Sequence, residues 1–325
     1  MPETPTLPAV TFRRFVGRDD YAHMARIIDA AKVLDGDERS DTPEDVERFY
    51  SHLVRCDPAT DMLFAEAEGV AIAYSRVWWD QEEKGPRTYT HICFIDPGHR
   101  GHGVGTALMT WNEARLREIA ADHVAGAQVL QVFANDSNTA ARALFAAFGY
   151  EPVTYEAEMV RPTVTDLPDA RLPDGLEIRD VSDDQLRTIW EADAEAFRDH
   201  WGYVAPTEER YQEFLDFPYT DSSLWKVAWA GDRVAGQVRS FINVHENEEY
   251  GRKRGYTEFI STAREWRGRG VARALIVASI EEPARRGMVV AILGVPTENP
   301  NGAYQLYQSL GYEVVSSSTL YRKPL

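Results

Sequence analysis

The chain has 325 residues, 44% apolar and 27% charged, an ordinary folded-protein composition whose length, at roughly 100–200 residues per domain, suggests two domains. Two cysteines, Cys56 and Cys93, exclude a disulfide scaffold and fit a reducing compartment. A formal net charge of −17 argues against a nucleic-acid partner, which needs basic surface to neutralise phosphates. No apolar run reaches the roughly 18 residues of a membrane span, and MPETPTLPAV lacks a secretory-signal pattern, so a cytoplasmic protein is expected.

In chain order, VTFRRF from Val10 alternates as a half-buried strand, and Tyr21 to Val33 is amphipathic with helical period. LFAEAEGVAIAYSRVW reads as two strands about a turn at Gly69. DPGHRGHGVGTALM, from Asp96 to Met109, reads as a glycine-rich loop opening a helix, with Val104, Ala107, Leu108 and Trp111 on one face. VLQVFA is a continuous apolar run, as in a buried central strand, and a last helix stops at Gly149.

The same order then recurs. LEIRDV from Leu176, a helix over Asp184 to Phe197, and a hairpin turning at Gly231-Asp232 lead to AREWRGRGVARAL. There Val271, Ala274, Leu275 and Ala278 repeat the helical spacing, and VVAILGV and a helix ending at Gly311 follow. Arg100 aligns with Arg267 at an offset of 167, Tyr150 with Tyr312 at 162, and Val10 with Leu176 at 166. The chain therefore reads as two copies of one α/β domain, 1–161 and 176–325. Between them, Pro162 to Gly175 is a proline-bearing linker without apolar period.

Both loops have the form R-x-x-G-x-G/A: Arg100, Gly101, His102, Gly103, Val104 and Gly105, then Arg267, Gly268, Arg269, Gly270, Val271 and Ala272. Unpaired N–H groups at a helix start carry partial positive charge, and glycine lets a diphosphate approach them. Arg267, Arg269 and Arg273 add charge in the second copy. Neither loop is a GxxxxGK[ST] P-loop or a complete GxGxxG.

This loop, followed in each copy by L-[YF]-x-x-x-G-[YF], resembles the acyl-CoA-binding signature of the GNAT N-acetyltransferase superfamily, and the tandem arrangement resembles members of the mycothiol synthase type. The resemblance implies, in each copy, a mixed, mostly antiparallel sheet flanked by helices and splayed between its fourth and fifth strands, where pantetheine enters. It implies acetyl-CoA as cosubstrate, a small hydrophilic amine as acceptor, and a monomer or homodimer; no metal is expected, since His245 with Glu246, Glu248 and Glu249 matches no HExxH spacing. Besides both loops, the cofactor residues it implies are Ile260, Ser261, Thr262 and Asn299.

Acetyl transfer to an amine needs a base for the ammonium, a donor for the oxyanion and an acid for the thiolate. By resemblance the acid is Tyr307, a phenol that stays protonated until a thiolate of lower pKa forms beside it. The base candidate is Glu258, nine residues before Arg267, whereas many relatives place a glutamate eleven back, here Tyr256. Strand alternation would put Glu258, Ile260 and Thr262 on one face, with a backbone N–H, such as that of Thr262, as oxyanion donor. The first copy has His91 and Phe145 where the second has Glu258 and Tyr307, so chemistry is expected in the second. Asp193, Glu195, Asp199, His200, Trp201 and Tyr203 mark the expected acceptor region, and NVHENEEYGRKRGY reads as a possible flap. An acetyltransferase and a non-catalytic acyl-CoA-binding regulator both remain open at this point.

Overall fold

The computed structural model describes residues 1–298 and 302–325. The chain forms two compact units: Met1–Tyr155 with Ser318–Leu325, and Glu156–Ser317.

In the first unit, β1 (Thr11–Arg13), α1 (Asp19–Asp35), α2 (Pro43–Tyr50) and α3 (Pro58–Asp61) precede β2 (Met62–Ala67), β3 (Val70–Gln81) and β4 (Arg87–Ile95). Then come α4 (Val104–Ala121), β5 (Gln128–Asn135) and α5 (Thr139–Ala147). The β2–β3 turn places Glu68 and Gly69 at φ 51° and 79°, the two left-handed residues a tight hairpin needs. A capping box between Thr42 and Asp45 starts α2. Val104, Leu108, Trp111 and Leu116 of α4 are buried against the sheet, as the periodicity predicts. β1 to β4 pair antiparallel in sequence order, and β4 pairs parallel with β5 only from Arg87–Gln128 to Thr90–Gln131. Both strands run on for several residues beyond that pairing, so they diverge there.

The chain continues through β6 (Glu151–Arg161), β7 (Glu177–Arg179), α6 (Leu186–Phe197), α7 (Glu208–Leu215), β8 (Lys226–Ala230) and β9 (Arg233–Val238). It ends with α8 (Val244–Glu249), β10 (Arg254–Tyr256), β11 (Ser261–Thr262), α9 (Val271–Arg285), β12 (Val290–Pro296), α10 (Ala303–Ser309) and β13 (Glu313–Pro324). In the second unit β7, β8, β9 and β11 form one antiparallel sheet. β10 pairs parallel with β12, and β12 antiparallel with β6. The fourth strand of this copy is thus cut in two. β10 stays with the fifth strand, and β11 goes with the third. Val271, Leu275, Ile276 and Ile280 of α9 are buried in the core.

Two expectations change. Each unit takes its last strand from the other copy: β13 pairs with β5 from Ser318–Asn135 to Pro324–Val129, and β6 pairs with β12. The compact units therefore end differently from the 1–161 and 176–325 division. The linker is also not a free tether. It has no regular structure, yet Val164, Leu167 and Leu172 pack on the core of the second unit. Arg161 holds its start, donating to the carbonyls of Thr165 and Leu310.

Candidate active site

The second glycine loop ends at Gly270, the N-cap of α9 at φ 85°, with Gly268 at φ 70°. No side chain caps this helix, so the N–H groups of its first turn lack intrahelical partners. A Cβ at either glycine would meet nothing within 4 Å. The space in front of the helix start is open and carries the positive end of its dipole.

The arginines divide. Arg267 turns inward: its guanidinium donates to the Ala196 carbonyl at 2.7 Å and the Thr262 carbonyl at 3.2 Å, and lies 3.4 Å from Asp199. It fastens the loop to the end of α6 rather than facing outward. Arg269 is exposed over Trp266 at 5.1 Å, and Arg273 donates to Ser309 at 3.0 Å. Asn299, the remaining expected cofactor residue, lies outside the described residues.

Between β10 and β11 the backbone bulges at Phe259, whose φ is 51°. The extra residue reverses the alternation. Gly255 abuts Pro283 of α9, and Thr257 accepts from the Tyr312 hydroxyl at 3.2 Å, so this phase faces the helix. Beyond the bulge Thr262 pairs with Gly236, which abuts Val271 and Leu275 of the same helix. Glu258 and Thr262 therefore stand on opposite faces, contrary to the simple count. The bulge also corrects the comparison between copies. His91 bonds Tyr150 at 2.9 Å as Thr257 bonds Tyr312. The partner of His91 by environment is thus Thr257, and the first copy has Ile92 in the phase of Glu258.

Glu258 is half-buried, and its carboxylate accepts the Gly294 N–H at 2.8 Å. Burial pushes its pKa up to about 8, opposed by the Gly294 and Phe259 N–H groups and reinforced by Glu158 and Glu156. Tyr307 is buried, and burial, the Glu258 charge and Tyr312 all hold its phenol above the usual range. The structure thus brings Glu258 and Tyr307 into electrostatic contact. Directly after β11, the Ala263 N–H bonds the Ala235 carbonyl of β9 at 2.9 Å. By alternation the Thr262 N–H points the other way, into the gap between β11 and β12.

The expected acceptor-region carboxylates meet arginines. Asp199 pairs with Arg264 at 2.7 Å, Glu195 with Arg198 at 3.3 Å, and Asp193 with buried Arg239 at 2.8 Å. His200 is held below its ordinary pKa by burial and by Arg267. The expected flap contains α8, whose Glu246 accepts from the Tyr256 hydroxyl at 2.6 Å and pairs with Arg252, anchoring it. Tyr256 is thereby committed to structure. Among the described residues, no group of His, Cys, Asp and Glu gathers that could hold a metal ion.

In the first unit the loop is covered. Leu7 lies 3.3 Å from where a Gly103 Cβ would stand. Arg100 is paired with Asp35 at 2.6 and 2.9 Å and donates to the Ile95 carbonyl at 3.1 Å. Asn138 also reaches Asp35 at 2.8 Å, and Asn135 bonds the Asp35 and Gly36 carbonyls. These bonds tie the end of α1 to the segment leaving β5. His91 is sealed in the core between Tyr150 and Asn112, and burial pulls its pKa down to about 3. Phe145 packs between Tyr150 and Tyr321.

The acetyltransferase (GNAT) family matches residues 25–150 and again 186–312. The chain belongs to the GNAT acetyltransferase family. Among curated relatives, it is 27% identical to the mycothiol acetyltransferase of Geodermatophilus obscurus over 256 residues, 78% of each chain. It is 30% identical to that of Thermobifida fusca over 244 residues, 70% of this chain and 72% of the relative. A GCN5-related N-acetyltransferase from Sphaerobacter thermophilus superposes with a TM-score of 0.74 at 27% identity, covering 98% of this chain and 97% of that one. A tandem GNAT protein of the clavulanic acid biosynthesis pathway shares the fold, at a TM-score of 0.66, 15% identity and coverage of 97% and 98%. The chain is thus an acetyltransferase with tandem GNAT domains.

Proposed function

We propose that the chain moves an acetyl group from acetyl-CoA to the amine of a small molecule, at the second unit. The observation that carries this is the open, glycine-lined start of α9, in a unit where the Glu258 charge acts on the buried Tyr307 phenol. Diphosphate and pantetheine suit these features: free N–H groups from Gly268 to Ala272 for the first, and the gap between β11 and β12 for the second. Ile260, Ser261 and Thr262 line the approach, and Arg269 and Arg273 supply positive charge near the helix start. The first unit, with Leu7 over Gly103 and Asp35 holding Arg100, serves as scaffold.

Bound acetyl-CoA supplies a thioester carbonyl that the amine attacks with loss of the C–S bond. Glu258, made more basic by burial, takes the proton from the ammonium. The Thr262 N–H, turned away from β9, is the donor for the oxyanion. Tyr307, protonated well above neutral pH, is the acid that donates to the sulfur as the C–S bond breaks, and its phenolate recovers the proton that the attacking nitrogen sheds as the amide forms. Names of the mycothiol acetyltransferase relatives favour a polar amino-sugar type of amine; an antibiotic amine is the other reading of the same class.

The test is amine-dependent CoA release, followed by a thiol reagent, for the wild type and Tyr307→Phe. A positioned acid contributes about 10²–10⁴-fold, so the variant should lose tenfold or more while circular dichroism stays unchanged. CoA binding with no amine-dependent release from any amine would favour the non-catalytic alternative.

A further inference from the structure

Two arginines hold the same place in the two copies and differ in what meets their charge. The hairpins close at Ala67–Val70 and at Ala230–Arg233, and each carries a register shift at the same distance from its turn. That match puts Arg76 of β3 in the place of Arg239, which directly follows β9. Both are buried, at 7% and 6% exposure. Arg239 lies 4.3 Å from the Phe259 ring and 4.9 Å from the Phe214 ring, and Asp193 of α6 meets its charge at 2.8 Å. Arg76 lies 4.7 Å from the Trp78 ring, 5.0 Å from Tyr50 and 5.2 Å from Phe49. Among the described residues, no hydrogen bond or ion pair reaches its side chain, and its Nε is sealed from solvent without a partner.

The anionic groups around Arg76 are engaged elsewhere. Asp80, four residues along the same strand, takes Arg55 at 3.3 Å. Asp61 takes Arg115 at 2.9 Å, and Asp41 takes Arg39. Burial pushes the Cys56 thiol up to about 12, so it is no counter-ion. The position is also separate from the glycine loop and its helix. Ser75 bonds Asn112 of α4 at 2.8 Å, and Val77 packs in the cluster under that helix. Alternation therefore turns Tyr74, Arg76 and Trp78 to the opposite face, where Tyr74 packs with Met24, Ile28 and Val46 of α1 and α2. Phe49, at the end of α2 and 46% exposed, borders this face on the solvent side.

We propose that Arg76 anchors a binding site in the first unit for a small organic carboxylate. Aromatic rings attract a guanidinium but do not replace hydrogen-bond acceptors. The group stays charged at any ordinary pH and presents its donors as a rigid fork. A carboxylate is planar and can take two of those donors at once. It brings from outside what Asp193 supplies to Arg239 from within the chain. The Trp78 and Phe49 rings suit an apolar body behind the carboxylate. A phosphate, tetrahedral and more highly charged, wants more donors than one arginine offers.

The experiment is isothermal titration of the full chain with benzoate, benzamide and inorganic phosphate, for the wild type, Arg76→Met and Arg76→Lys. Benzoate should bind the wild type with a Kd below about 10 mM, and benzamide, of the same shape without the charge, at least about tenfold more weakly. Arg76→Met should weaken benzoate by about tenfold or more. Its Tm should equal or exceed the wild-type value, because it removes an unpaired charge from an apolar setting, whereas Arg239→Met strands Asp193 and should lower it. Arg76→Lys keeps the charge and loses the fork, so affinity should fall several-fold. Should the methionine variant fail to fold, the lysine variant decides. Failure of benzoate to bind, equal binding of benzamide, an affinity unmoved by the substitutions, or tighter binding of phosphate than of benzoate overturns the site. A Tm loss in Arg76→Met as large as that in Arg239→Met also overturns it, because the arginine would then be structural.

Discussion

Glu258 sets the pH dependence expected of the reaction. Its carboxyl is protonated up to about pH 8, and a protonated carboxyl cannot accept a proton. A free alkylamine is an ammonium below about pH 10. At pH 6–8 the carboxyl must lose its own proton before it can take the one on the ammonium, so log kcat/KM should climb with a slope near one and level off above 8. Glu258→Gln leaves the reaction waiting for free amine, so its profile should keep climbing to about pH 10, with a rate about 100-fold lower at pH 8 and a deficit that shrinks above it. Profiles of the same shape for the two proteins would mean that the glutamate is not the base. His91 offers a contrasting residue, because its chemistry is structural. Its folded pKa is about 3, against about 6.5 in an unfolded chain. Between those values the unfolded state holds a proton that the folded state does not. Stability should therefore fall as pH drops below 6.5, by at most about 1.4 kcal/mol per pH unit, and be flat above. Urea midpoints at pH 5 and 7 should differ less in His91→Gln than in the wild type; an equal shift in both would place the titration elsewhere.

At the scale of elements, the sequence made the glycine loops, the helices after them and the central strands legible, because each carries a strong signal. Periodicity marks α4 and α9, and unbroken apolar runs mark β5 and β12. The bulge was not legible. Nothing in Glu258-Phe259-Ile260 announces a left-handed residue, since bulge residues are usually glycine or asparagine, so counting gave Glu258 the wrong face. The short helices α2, α7 and α8 escaped for a different reason: at eight residues or fewer they hold too few turns for a period to show. For α2 the Thr42 and Asp45 box was the missed cue. The arginine of each loop motif also reads differently in three dimensions. Arg100 and Arg267 both reach back to the strand before the loop and to the end of a helix. The motif conserves within this one chain a brace for the loop, while the N–H groups after it are left to bind.

At the scale of the whole chain, the repeat predicted two equivalent halves, and each half proved to borrow its last strand. That exchange leaves no local mark, because β6 and β13 both follow a Gly-Tyr helix stop at Tyr150 and Tyr312, and either could complete either sheet. The halves differ most where the repeat is closest in sequence. Gly103 faces Leu7, whereas Gly270 faces open space. Asp35, held between Arg100 and Asn138, braces the first loop much as Asp199 beside Arg267 braces the second, so it is Leu7 that separates the two approaches. One acetyl-CoA per chain is therefore expected in isothermal titration, not two. Gly270→Asp separates the two loops. Its backbone angle is one that aspartate tolerates better than most residues, and its side chain meets nothing, so the fold should survive at a cost of about 1 kcal/mol. The added negative charge at the helix start should weaken the single site tenfold or more, since like charge there opposes the helix dipole's attraction for phosphate. Two equivalents bound by the wild type, or one still bound tightly by Gly270→Asp, would return the first unit to the cofactor sites.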